Sequence, residues 1–399
     1  MGKKALEGLK VLEMGQLIAG PFASRLLAEF GAEVIKVEPP AKGDPIRTWR
    51  VMENGTSLWW YVQSRNKKSI TIDLKHHEGQ ELIRGLVKEI DILIENFRPG
   101  TLEKWGLGYE ELKKINPGLV MIRVSGYGQD GPYKDRPGFG SIGEAMGGLR
   151  YITGYPDRPP VRVGVSLGDS LSSLYAVIGA LMAVYHRDVN GTGEGQVIDV
   201  ALYESVFSLM ESVLPEYDRA GLIRERSGSM LPGITPSNTY VCSDGTYIVI
   251  GANGDAIFKR LMHAMGREDI AEDPRFENNA KRSEHAAFLD GLIEEWAKSL
   301  PFEAVKESLD KAGVPAGSIY SVEDIVNDPH YQARKMIQEV AVDGLGMLKM
   351  PGVVPKMSET PGEIEWAGPE LGQHTSDILG DKLGLTEEQM NDLKAKGVI

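Results

Sequence analysis

GLKVLEMGQLIAGPFASRLLAEFGAEVIKVE, residues Gly8–Glu38, decides how the first half of the chain folds. "LKVLEM" and "AEVIKVE" are short aliphatic runs with little alternation, the composition of strands buried on both faces. Between them "GPFASRLLAEFG" keeps helical spacing, opened by Gly20 and Pro21 and closed by Gly31. Strand, helix, strand within about thirty residues is a βαβ unit, and its two strands must be parallel. The alternation continues through a helix at "GQELIRGLVKEI", a strand at "DILIENF", a helix at "YEELKKIN" and a strand at "LVMIRVSG". A helix after Asp169, a turn at "NGTGEG" and the strand "QVIDVAL" complete it, so the spacing predicts a Rossmann-like, parallel α/β domain over residues 1–221. The helix after Asp169 carries Leu171, Leu174, Ile178, Leu181 and Tyr185 with other apolar residues between them, which predicts burial on most sides.

From residue 222 the character changes. "IRERSGSMLPGITPSN" is irregular and leads to a hairpin, "NTYVCSDGTYIVIGA", with its turn at Asp244-Gly245. Helices at "AAFLDGLIEEWAKSL" and "FEAVKESLDKAG" and a short strand in "GVPAGSIYS" make residues 222–328 a smaller α+β domain, and residues 329–399 form a last part.

Composition narrows the function. With 57 acidic against 44 basic residues the net charge is −13, which opposes a broad nucleic-acid surface. A small phosphorylated ligand needs only a local basic patch, because screening confines exposed charges to about 8 Å. The seven histidines lack metal-ligand spacing, with His76 and His77 in a charged turn, and no metal is expected. Cys242, the one cysteine, sits in a strand-like run and reads as core rather than nucleophile. Glu7 and Glu13 interrupt the N-terminal segment, and no apolar run of about 18 residues is expected, so the reading is cytoplasmic with no membrane association.

Three features bear on chemistry. The first βαβ turn, Gly15-Gln16-Leu17-Ile18-Ala19-Gly20, puts bulky Leu17 where a dinucleotide site needs glycine, which argues against NAD even though Glu38 ends the second strand as a ribose ligand would. A basic series, Lys36, Lys42, Arg47, Arg50, Arg65, Lys67, Lys68, Lys75, Arg98 and Lys104, includes residues in Gly/Pro loops just past strand ends, where phosphate oxygens are gathered. Asp169 in "LGDSLSS" has two readings. It is either the N-cap of the long helix or a nucleophile, since an aspartate ionised at neutral pH needs no activating base and Gly168 permits close approach.

The stretches "RNKKSITIDLK", "ENFRPGTLEKWG", "SGYGQDGP", "LGDSLSSLYA", "DPRF", "AGVPAGSIYSVEDIVNDPH" and "ELGQHTSDIL", together with Gly8–Arg47, resemble in order the family III CoA-transferases, the group of formyl-CoA and carnitine CoA-transferases. The resemblance implies that Asp169 is the nucleophile and that CoA is held by Ile72, Leu74, Lys75, Asn96, Phe97, Arg98 and Lys104. Lys104 stands where relatives often have arginine, which weakens bidentate phosphate gripping there. It also implies an interlocked homodimer, no tightly bound cofactor, acyl-CoA as substrate, and a last part, 329–399, that returns to the large domain.

The implied reaction moves CoA from a short acyl-CoA, succinyl-CoA, to a small acid such as citramalate or malate through aspartyl anhydride and aspartyl-CoA intermediates. "TGYPDRPPVRVG" and "RSGSMLPGITPSN" resemble the succinyl-CoA-dependent relatives, with Arg162 and Arg226 as candidate partners of a second carboxylate or members of ordinary salt bridges. Glycine-rich backbone in "GFGSIGEAMGG" is the candidate source of oxyanion donors. The alternatives are a formyl- or acetyl-CoA:oxalate-type transferase and an α-methylacyl-CoA racemase. Against the racemase, Gly138-Phe139-Gly140 stands where its His and Asp bases would lie. A noncatalytic CoA- or nucleotide-binding protein requires Asp169 to be dispensable.

Overall fold

The computed structural model describes residues 4–399. It divides into two compact units: one takes in the chain up to Leu149, Val163–Gly221 and His330–Ile399, the other Arg150–Arg162 and Leu222–Pro329.

The first unit is built on six parallel strands, β1 (Lys10–Glu13), β2 (Glu33–Glu38), β3 (Lys67–Thr71), β4 (Ile92–Glu95), β5 (Val120–Ser125) and β6 (Val197–Ala201). Their order is β3-β2-β1-β4-β5-β6, all pairings parallel. Chain direction across the sheet therefore reverses between β1 and β4, and the crevice beyond those strand ends is where open α/β sheets take ligands.

Successive side chains alternate between faces. Leu12, Ile35 and Leu93 join a core with α2 (His77–Val87) and the C-terminal residues Leu379 and Leu393, while Val11, Val34 and Ile94 join a second core with α1 (Ala19–Glu29). The C-terminal segment also covers the outer edge of β3: Asn66 N donates to Trp366 O at 3.1 Å and His374 N to Ser69 O at 2.9 Å. The strand edge is thus closed to other chains.

The long helix differs from expectation. It buries its small residues, Ser172, Ser173, Ala176, Ala180 and Ala183, whereas Leu174, Ile178, Met182 and Tyr185 are 45%, 47%, 67% and 60% exposed. Small side chains let its axis lie close to α1 and the sheet, which turns the large ones outward. An 18-residue window within it has a mean hydropathy of 1.5, the length and apolarity of a membrane span, contrary to the expectation that no such run exists. Its small-residue face packs against α1 and β5 in the core of this unit, while its large apolar residues stay exposed.

The second unit holds an antiparallel sheet of β7 (Ser237–Val241), β8 (Tyr247–Gly251) and β9 (Ala316–Ser318), in the order β9-β8-β7. Its core gathers Tyr240, Cys242, Ile248, Phe258, Leu289, Ile293 and Leu309. Residues 150–162 cluster with this unit because Arg226 Nη1 donates to Tyr151 O at 3.0 Å and Gly228 N to Gly154 O at 2.9 Å. Arg226 is therefore engaged by backbone carbonyls.

Candidate active site

With α3 (Thr101–Lys104), α4 (Gly140–Met146) and α5 (Leu167–Asp188), the elements around the strand ends are complete. Asp169 is not the cap of α5. The helix begins at Leu167 with Ser166 at the N-cap, so Asp169 lies within the first turn, where the helix dipole favours an anion.

Its carboxylate rests on the backbone of Gly140, the first residue of α4. A Cβ placed on Gly140 would overlap Asp169 Oδ2 and lie 2.7 Å from Cγ, so no other residue fits there without moving the carboxylate. Gly168 is also confined: its N–H donates to the buried Glu144 Oε1 at 3.4 Å, and a Cβ on it would come within 3.1 Å of Gly140 O. The Ser173 hydroxyl lies 2.7 Å from Ala19 O and 2.8 Å from Asp169 O, joining the Asp169 turn to the start of α1.

The turn from β1 into α1 is held from several sides. Gln16 N donates to Asn96 Oδ1 and Asn96 Nδ2 to Gln16 O, both at 2.8 Å, so the Asn96 amide clamps this backbone. Leu17 N donates to Asp44 Oδ1 at 3.0 Å and Lys36 Nζ to Gly15 O at 3.0 Å. Leu17 has φ +64°, a left-handed conformation that costs a bulky residue on the order of 1 kcal/mol or more and needs such bracing.

Below the turn lies a buried ion cluster. Glu13 accepts from Lys36 Nζ at 2.6 Å, Lys67 Nζ at 2.7 Å and Ser24 Oγ at 2.5 Å, and Lys36 also meets Asp44 Oδ2 at 2.8 Å. Burial alone would raise the Glu13 pKa, but Lys36 and Lys67 together outweigh it and hold the carboxyl at about 2. Burial and the nearby Lys36 outweigh Glu13 at Lys67 and pull that ammonium down to about 8. Glu38 is equally engaged: Arg47 donates to both oxygens at 2.7 and 2.8 Å, Ser69 Oγ at 2.6 Å and Asp44 N at 2.9 Å. It has no capacity left for a ribose, and Lys36, Arg47, Arg65 and Lys67 are buried ion-pair partners rather than phosphate ligands.

A cleft of about 470 Å³ opens at the ends of β1 to β4, lined by Gln16, Glu38, Ile72, Leu74, Lys75, Phe97 and Trp105. Phe97 packs edge-on against Trp105 with ring centroids 5.4 Å apart. Arg98 follows Phe97 and Lys104 precedes Trp105; both are exposed, as is Lys75. Among the described residues none of these three cations pairs with a carboxylate. Of the seven residues expected at CoA, four line the cleft, two stand beside it, and Asn96 braces its floor. Sequence reasoning missed Trp105, although it lay inside "ENFRPGTLEKWG", and Gln16, which was read only as part of a failed glycine motif.

The chain is thus an α/β protein with a ligand-sized cleft at the switch point of its parallel sheet and an aspartate held against a glycine backbone. The model of CoA-transferase family III matches residues 6–375, and the chain belongs to that family and is a CoA-transferase. It is 55% identical over 397 residues to the succinyl-CoA–D-citramalate CoA-transferase of Chloroflexus aurantiacus, covering 99% of this chain and 98% of that one. The succinyl-CoA–L-malate CoA-transferase beta subunit of the same organism is 43% identical over 398 residues, with the same 99% and 98% coverage. A CAIB/BAIF family protein from Brucella suis superposes with a TM-score of 0.82 at 36% identity, covering 96% of this chain and 100% of that one. The substrates of this enzyme class are CoA thioesters.

Proposed function

We propose that this enzyme moves CoA from succinyl-CoA to citramalate or a closely related dicarboxylate, with Asp169 as the nucleophile. The 55% identity to a succinyl-CoA–D-citramalate transferase carries the substrate reading. The fit of the Asp169 carboxylate on Gly140 supports the nucleophile.

In this reading an Asp169 oxygen attacks the thioester carbonyl, the C–S bond breaks, and CoA leaves as thiolate from a mixed anhydride. The thiolate then attacks the Asp169 acyl carbon, releasing succinate and leaving an aspartyl-CoA thioester. The acceptor carboxylate attacks that thioester, expels CoA thiolate and forms a second anhydride. A final thiolate attack on the acceptor's carbonyl delivers the new acyl-CoA and restores Asp169. Each intermediate retains the activation of the thioester, so water has to be kept away from it. The nucleotide half of CoA occupies the cleft at the strand ends, with Ile72, Leu74 and Phe97 against apolar surface and Lys75, Arg98 and Lys104 toward phosphates. A second copy of the chain covers the apolar side of α5, a reading supported by the exposure of Ile178, Met182 and Tyr185.

Hydroxylamine added with succinyl-CoA is expected to leave a hydroxamate on Asp169, detected by mass spectrometry. An unmodified Asp169 in protein that still turns over would sink the mechanism. Gly140→Ala is expected to lower kcat by roughly 100-fold or more, because displacement of a reacting group by about 1 Å has that effect. Melting of this variant with the wild type would separate misplacement from unfolding.

A further inference from the structure

Residues 96–102 leave the end of β4 and run into α3, and one side chain holds both ends of this loop. Arg123, on the adjacent strand β5 and 7% exposed, donates from Nε to Glu95 Oε1 at 2.7 Å. Its Nη1 and Nη2 donate to Glu103 Oε1 and Oε2 at 2.7 and 3.2 Å. Glu95 is the last residue of β4, directly opposite Arg123 in register, and its other oxygen accepts Phe97 N at 2.7 Å. Glu103 lies in α3 immediately before Lys104. A single guanidinium thus bridges the two carboxylates that bracket the loop, while the loop's own cations, Arg98 and Lys104, extend outward.

A buried cation is a poor means of stabilising a sheet, since an apolar pair of similar volume does as well or better. The Glu103 side chain is 47% exposed, so its pairing with Arg123 adds little to global stability. What the bridge does is restrict the loop. A planar fork between two carboxylates sets the direction in which Phe97, Arg98 and Lys104 leave the backbone, so less freedom is lost when a ligand binds.

We propose that Arg123 is a positioning residue for the CoA cleft, acting through Glu95 and Glu103 to hold residues 96–104 in their ligand-binding arrangement without touching the ligand. The inference rests on the reading that this loop binds CoA.

The sign of one substitution separates positioning from charge. Glu103→Gln removes a negative charge beside the loop; if charge alone mattered, CoA, itself an anion, would bind more tightly. Positioning predicts weaker binding. Titration calorimetry with CoA is expected to show a loss of about threefold for Glu103→Gln. Arg123→Gln is expected to lose about tenfold or more, with partial recovery in Arg123→Lys. Glu103→Gln should melt with the wild type, and it carries the test if Arg123→Gln does not fold. CoA affinity that is unchanged or increased in Glu103→Gln overturns the proposal. Arg98→Gln/Lys104→Gln is the companion variant: if it binds CoA as tightly as the wild type, the loop is not a CoA site and the proposal falls with that reading. If it weakens CoA while the Glu103 and Arg123 variants do not, only the positioning role is refuted.

Discussion

The cations within the strands and those on the loops just beyond them have the same chemistry and opposite roles. Lys36 and Lys67 are 1% and 0% exposed and are locked to Glu13 and Asp44. Lys75, Arg98 and Lys104 are exposed and pair with no carboxylate among the described residues. A basic residue inside a strand covered on both faces has to point into packed protein, where only a carboxylate makes its charge tolerable. A few positions later the chain passes the sheet's rim, water solvates the cation, and an incoming phosphate can replace that water.

The largest effect that separates the two groups is on stability. Glu13→Gln leaves Lys36 and Lys67 buried without their shared counter-charge and is expected to cost about 3–5 kcal/mol. Thermal melting should show a fall of roughly 5 °C, and an unchanged melt would mean that the cluster is not what holds these strands.

The same cluster sets a pH dependence. Glu13 is depressed from its ordinary 4.5 to about 2, so the stability it contributes is full above pH 4.5 and is lost as the pH falls toward 2. The loss is worth roughly 3 kcal/mol. Urea unfolding at pH 6 and pH 3 should show about 2 kcal/mol of it, because at pH 3 the folded-state carboxyl is still mostly ionised, and the Glu13→Gln variant should lose less across that interval.

The loop group should behave in the reverse way. Arg98→Ala is expected to weaken CoA by about tenfold, the value of one charge-assisted hydrogen bond. Its stability should stay within about 0.5 kcal/mol of the wild type. A destabilised Arg98→Ala with normal CoA affinity would erase the distinction. The smallest change is Lys104→Arg, whose planar fork grips phosphate with two parallel bonds. A tightening of CoA by about threefold is expected, read by calorimetry.

Much of this was legible without coordinates. Strands β1, β2, β4, β5 and β6 stand in the sequence as short aliphatic runs separated by helical spacing, and their parallel pairing follows from the length of each crossover; β3, Lys67–Thr71, escapes that reading because KKSIT carries two lysines and a serine in five residues. Around the cleft, Lys75, Arg98 and Lys104 stand in the basic series near strand ends, where an α/β sheet collects ligands, whereas Ile72, Leu74, Asn96 and Phe97 were named only through the family resemblance. The failures share one cause. Leu174, Ile178 and Tyr185 were expected inside, but periodicity reports which residues share a helix face and not which face the neighbours take; the small residues Ala176, Ala180 and Ala183 had the closer approach.

Local sequence alone determined that the chain alternates strand and helix, that Leu17 spoils a dinucleotide turn, and that Asp169 stands near a helix start, since each depends on a few adjacent residues. Tertiary structure decided that Asp169 lies inside the first turn on Gly140, that Asn96 clamps Gln16, and that Arg123 joins Glu95 to Glu103. Those pairs are 29, 80, 28 and 20 residues apart, counting Asp169 from Gly140 first. Separation on that scale leaves no periodic trace in the chain, so only the packed backbone brings such groups within bonding distance.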